Sequence, residues 1–196
     1  MTQTILMLYA TLFPAILAGI INSLWCKSSF LSKLKVPIDF NKNFIDKKRI
    51  FGDNKTWKGF FGYIVLNIFV QLLWGIICNI LDINHTDYFY VNHNNTIIYN
   101  LLIGFLLGLS YALFELPNSF IKRRIDIEPG KPPKGFKKVL FIFLDQADSV
   151  FGVCLVVAMF YKMSVAFYFI YVIVGAITHL VINVLLYLLK VRKNMF

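Results

Sequence analysis

Val139-Leu140-Phe141-Ile142-Phe143-Leu144-Asp145-Gln146-Ala147-Asp148-Ser149 opens an apolar run that extends to Tyr161 with no charges other than its two aspartates. The run is long enough to cross a bilayer, which takes roughly 20 apolar residues. An ionised Asp at membrane depth costs at least about 2.5 kcal/mol. Spacing of i, i+3 sets both carboxylates on one face of a helix. Two adjacent anions repel unless a cation lies between them or one takes up a proton. Hard oxygen donors suit Mg²⁺ or a similar divalent ion. Asp145 and Asp148 are therefore candidate metal ligands in a functional site; the bland alternative is a polar pair salt-bridged to a neighbouring helix.

Composition places this run in context. Of 196 residues, 58% are hydrophobic and only 15% charged, against about 25% charged in soluble domains. The expectation is an all-α integral membrane protein, with residues 1–196 forming a single membrane domain. A net charge of +10 would suggest nucleic acid in a soluble protein. Here the basic residues flank apolar spans, so membrane topology and anionic phosphates account for them and no nucleic-acid partner is expected. Cys26, Cys78 and Cys154 lie in or beside apolar runs without CxxC spacing and read as packing residues. No Lys or Arg precedes Lys27, so the first run lacks the basic start of a signal peptide and reads as an uncleaved span.

Five spans can be drawn, at about 5–25, 60–81, 97–116, 139–161 and 165–189. Lys and Arg crowd the connection from Lys27 to Lys58 and that from Lys122 to Lys138, whereas residues 82–96 carry none. The positive-inside rule then puts loops 26–59 and 117–138 and the C-terminus in the cytoplasm, with the N-terminus outside. The result is a bundle of five transmembrane helices, multi-pass in the cell membrane. Span four enters from the cytoplasmic side at Lys138, so Asp145 lies about 10 Å in from it at 1.5 Å per residue. Glu115, near the same end of span three, either joins the carboxylates or pairs with a loop Lys. Gly104 and Gly108, and likewise Ala15 and Gly19, form small faces that allow close helix approach. Whether the partner is inside the bundle or in a second copy, a homodimer, is open at this stage.

Two further polar stretches belong to the cytoplasmic side. Gly52-Asp53-Asn54-Lys55-Thr56-Trp57-Lys58-Gly59 brackets hydrogen-bond donors with glycines just before a helix, a pattern suited to an anion. Its plainer role is a turn at Asp53 or Asn54 with Trp57 as interfacial anchor. Ser119-Phe120-Ile121-Lys122-Arg123-Arg124, with Gly130 and Lys131 beyond it, is a candidate phosphate clamp. Otherwise it is only a positive-inside signal. Carboxylates for a metal beside Lys and Arg for phosphates are what phosphoryl or nucleotidyl transfer requires.

The three stretches in order, with Pro37-Ile38-Asp39-Phe40 ahead of them, resemble the CDP-archaeol synthase family, relatives of the CDP-diacylglycerol synthases. The resemblance covers nearly the whole chain. It implies a Mg²⁺-dependent CTP:lipid-phosphate cytidylyltransferase of phospholipid biosynthesis, with CTP, a lipid phosphate and the bilayer as partners. By this resemblance Asp145 and Asp148 bind the metal, and with Lys122 and Arg123 they form the catalytic set. Gly52, Asp53, Asn54, Lys55, Thr56, Trp57, Gly59, Ser119, Gly130 and Lys131 would contact substrate. The chain departs from the diacylglycerol branch, which has Lys-Asp where Glu128-Pro129 stands and an Arg where Gln146 stands. The competing class is a small proton- or ion-coupled transporter using the Asp pair as a relay. No inverted repeat supports it, and the polar motifs cluster on one side.

Overall fold

The computed structural model of the chain describes residues 2–129 and 136–191. Its elements are helices α1 (Thr2–Lys27), α2 (Trp57–Ile80), a single turn α3 (Tyr88–Val91), α4 (Ile97–Arg124), α5 (Phe136–Phe160) and α6 (Val165–Leu188). Five of them are long and apolar enough to cross a membrane, with mean hydropathy of 1.9 to 2.3. An all-helical membrane fold follows from these lengths.

Helix starts follow local chemistry. Thr56, Thr96 and Ser164 cap α2, α4 and α6, each accepting a backbone N–H from the third residue on. The largest departure from expectation is in α4, which runs through Pro117 to Arg124 rather than ending near residue 116. A proline inside a helix costs roughly 3 kcal/mol. The turn beyond it is held by tertiary bonds: Asn118 and Lys122 bind carboxylates on α5, and Arg124 Nη1 donates to the Arg49 carbonyl at 2.9 Å. Ser119, Lys122 and Arg123 therefore stand on a helix, not in a loop. The helix ends where Asp126 turns left-handed (φ 62°) and the Ile127 N–H returns to the Lys122 carbonyl at 2.9 Å.

Packing divides the bundle into a tight side and an open side. α2 and α4 form its most extensive contact. A Cβ placed on Gly104 or Gly108 would meet the α-carbon of Ile68 or Ile64 at 2.6 Å. The Gly104/Gly108 face is thus used inside the bundle. Gly19 behaves otherwise: a Cβ there would meet only the Tyr63 ring, at 3.6 Å, because Gly19 faces a cavity, whereas Ala15 is buried and its carbonyl accepts from the Tyr63 hydroxyl at 2.8 Å. α1 and α6 meet where Tyr171 donates to the Leu8 carbonyl (3.0 Å) and Tyr9 contacts Thr178 (3.1 Å). Further along, Ile16 and Gly19 of α1 and Ile182 and Leu186 of α6 line the cavity instead.

Opposite the basic loops, residues 82–96 fold back into the bundle. Asp87 is fully buried and accepts from Thr11, Trp74 and the Phe89 amide. Burial pushes its carboxyl above the usual range against these hydrogen bonds. Gln71 of α2 is buried and donates to Tyr90 (3.0 Å) and Asn100 (3.2 Å).

Gly104→Leu is expected to lower the unfolding midpoint in detergent by the equivalent of about 1–3 kcal/mol or more, the usual cost of overpacking. Gly19→Ala should stay within about 0.5 kcal/mol of the parent. Thermal unfolding of the two variants side by side distinguishes the tight face from the open one.

Candidate functional site

Asp145 and Asp148 lie on one face of α5, as their spacing requires, and a single amide joins them. Nδ2 of Asn118 donates to Asp145 Oδ1 at 2.7 Å and to Asp148 Oδ2 at 2.8 Å. The Lys122 ammonium, one turn further along α4, pairs with Asp145 Oδ2. Lys55, just before α2, pairs with Glu115 of α4. Glu115 thus pairs with a loop Lys and also lines the same cavity as Asp145 and Asp148. Burial disfavours the Lys55 ammonium, but Glu115 first and then Asp148 outweigh that and raise its pKa.

These groups line one cavity of about 870 Å³. Arg123 reaches it from the same end, 9% exposed, with Nε and Nη1 buried and without hydrogen-bond partners among the described residues. A buried guanidinium lacking acceptors is costly unless an anion completes it. Ser119, also 9% exposed, lines the cavity beside it. The polar end passes into apolar walls that include Leu12 and Ile16 of α1, Val150 and Val153 of α5, and Ile182 of α6.

The glycine-bracketed loop serves fold and cavity together. Lys55, Asn54 and Asp53 face the cavity, and Asp53 also pairs with Arg49 at 3.0 Å. Thr56 and Gly59 line it too, joined to each other by the α2 cap at 3.2 Å. Trp57 stacks on Phe61, with ring centroids 5.3 Å apart. Gly52 has φ +106°, and a Cβ there would meet the Pro129 ring at 2.7 Å and Arg123 Nη1 at 3.7 Å. Only glycine fits that junction. Lys58 turns away from the cavity, buried over Trp25 and bonded to the Ser28 carbonyl at 2.8 Å. Gly130 and Lys131 lie outside the described residues.

Two residues essential to this geometry were not singled out from sequence. Asp39, 5% exposed, accepts from the Arg49 guanidinium and from the amides of Asn41, Phe51 and Gly52. Burial raises its carboxyl, but the Arg49 bonds and then the amides outweigh this and hold it at about 2. The same pair raises the pKa of Arg49. Asn118 precedes Ser119 and sits one turn before Lys122, a signal visible only if the helix is carried through Pro117.

The donor set suits Mg²⁺. That ion is commonly held by one or two carboxylates with substrate phosphates and water completing the shell. Asp145 and Asp148 present oxygens to a shared point now occupied by the Asn118 amide. Among the described residues there is no cluster of three or more His, Cys, Asp or Glu that would hold a metal alone.

Helices of spanning length around a charged cavity within the bundle define an integral membrane protein with an internal polar site. A family model described as CarS-like CDP-archaeol synthase matches residues 3–196, and the chain belongs to that family. Its members are CTP-dependent cytidylyltransferases of lipid biosynthesis. The chain is 31% identical over 167 residues to the CDP-archaeol synthase of Pyrobaculum aerophilum, covering 84% of this chain and 86% of that one. It is 33% identical over 116 residues to that of Methanocaldococcus jannaschii, covering 59% of this chain and 58% of that protein. A solved structure described as an intramembrane enzyme for archaeal membrane lipids biosynthesis shares the fold. Its TM-score is 0.61 at 20% identity, over 90% of this chain and 92% of that one.

Because the folded pKa of Asp39, about 2, lies below the ordinary carboxylate value of about 3.9, its contribution is present above about pH 4 and fades as pH falls toward 2. Hydrogen exchange at the Phe51 and Gly52 amides should therefore be equally protected, after correction for intrinsic rates, from pH 5 to 8. Asp39→Asn should remove that protection throughout the interval.

Proposed function

We propose that the chain transfers the cytidylyl group of CTP to the phosphate of a membrane lipid of the archaeol or diacylglycerol type, in a Mg²⁺-dependent reaction. The observation that carries this is the pairing, in one cavity, of two carboxylates one amide apart with the buried, unsatisfied guanidinium of Arg123. A phosphate oxygen of the lipid forms a bond to the α-phosphorus of CTP. The bond from that phosphorus to the β-phosphate bridging oxygen breaks, and pyrophosphate leaves with the electron pair.

Asp145 and Asp148 would hold Mg²⁺ at the point their oxygens share, where the Asn118 amide now sits and would give way to the ion. When bound, the ion supplies positive charge against the phosphate oxygens. Arg123 completes its hydrogen bonds on phosphate, its planar fork matching two oxygens at once. Lys122 and Lys55 each enter with a carboxylate partner, so they are positioned before substrate arrives and add charge where it develops. Gly52 keeps the loop close to Arg123 without a side chain in the way. The apolar walls of α1 and α6 give the lipid chains a place beside the polar end. The alternation of basic loops puts that end at the cytoplasm, where CTP is available, with the N-terminus outside.

Purified protein with Mg²⁺, CTP and an ether- or ester-lipid phosphate is expected to release pyrophosphate and form a CDP-lipid; release from neither lipid overturns the assignment. Asp145→Asn should lower kcat on the order of 100-fold or more. Arg123→Ala, which removes charge-assisted bonds worth about 1.5–3 kcal/mol, should raise the KM for CTP by roughly 10- to 100-fold. Initial-rate kinetics with both substrates varied checks each figure.

A further inference from the structure

The acidic segment of α5 is gripped from two sides, and only one grip touches its carboxylates. On the α4 side, Asn118 and Lys122 bind Asp145 and Asp148 directly. On the α6 side the contact is made through Gln146, which sits between the two aspartates and is 4% exposed. Its Oε1 accepts from Asn183 Nδ2 at 2.5 Å, and Asn183 is itself 5% exposed. One turn earlier on α6, Nδ1 of His179 lies 3.2 Å from the Gln146 carbonyl oxygen. His179 and Asn183 are four residues apart and so share a face of α6. That face meets the side chain and the main chain of one residue.

We infer that Gln146, Asn183 and His179 are positioning residues that fix the rotation of α5 and thereby aim both carboxylates at their common point. The physical ground is the rarity of alternatives. Gln146 and Asn183 edge the cavity but are only 4% and 5% exposed, so most of their hydrogen bonding must come from protein, and the two side chains meet only in one rotational setting of the helix. Rotation of α5 that carried Asp145 or Asp148 away from Asn118 would also pull Gln146 away from Asn183. The apolar neighbours of the segment, Ala147 and Val150, impose no such directionality. Polar contacts on opposite faces therefore set an angle that packing alone would leave loose.

The inference rests on Asp145 and Asp148 being the metal carboxylates, and exchange of the two amides tests it. Gln146→Asn shortens one arm of the pair, Asn183→Gln lengthens the other, and the double exchange restores the total length. Full-length protein in detergent is titrated with Mn²⁺ as a Mg²⁺ substitute, free Mn²⁺ being read by electron paramagnetic resonance, and unfolding midpoints are recorded in parallel. Each single variant is expected to weaken Mn²⁺ binding about tenfold, and the double exchange to recover it to within threefold. The unfolding midpoint should not track the affinity across the set.

Single variants with parental affinity would overturn the inference. So would a double exchange no better than the sum of its parts, since coupling is what the contact predicts. Asp145→Asn is titrated alongside. If it binds Mn²⁺ like the parent, the metal assignment itself fails; if it loses binding while the amide variants do not, only the positioning role fails.

Discussion

Asp145 and Asp148 occupy a place where an isolated charge costs at least about 2.5 kcal/mol, and much of the bundle can be traced to how that cost is met. Asn118 bridges the carboxylates, and Lys122 neutralises Asp145. Both residues lie beyond Pro117, so α4 must continue as a helix through a proline to deliver them. The extended helix then brings Arg123 and Arg124 to the basic loop, and Arg124 closes on the Arg49 carbonyl. The carboxylate pair is therefore the reason for the most irregular feature of the fold.

The same economy governs the loop before α2. Asp39 gathers one guanidinium and three backbone amides, which orders a segment lacking any extended pairing beyond two isolated bridges. With the loop held, Gly52 can pass close to Arg123, and Lys55 can reach Glu115. A buried cation left without acceptors would destabilise a purely structural assembly. In the proposed reaction Arg123 would be a phosphate site held ready, with the protein bearing the desolvation before the ligand arrives.

Tight and loose packing are also divided to a purpose. The α2–α4 contact is glycine against backbone, a rigid wall carrying both the Lys55 loop and the Asn118–Lys122–Arg123 ridge. Across the cavity, α1 and α6 touch through a few bonds near Leu8, Tyr9, Tyr171 and Thr178 and then yield to open apolar surface. Rigidity is concentrated where charges must be aimed, and space is left where a chain of low polarity would lie.

Much of this was legible in the amino-acid order. Apolar runs of spanning length, the two carboxylates at i, i+3 and the grouping of Lys and Arg depend on chain-local quantities, namely length, period and charge. The helix count and the pairing of acidic with basic motifs therefore followed from sequence. The fate of the small-residue faces did not: Gly104 and Gly19 sit in similar local patterns, yet one meets backbone and the other a cavity. Nor did the extension of α4 through Pro117, since local preference opposes it and only bonds to a distant helix reverse the balance. Asp39, Asn118 and Asn183 acquire their roles from partners 10 to 37 positions away. Such contacts exist only after the helices have assembled, because the energy of a buried polar group is decided by what finally surrounds it.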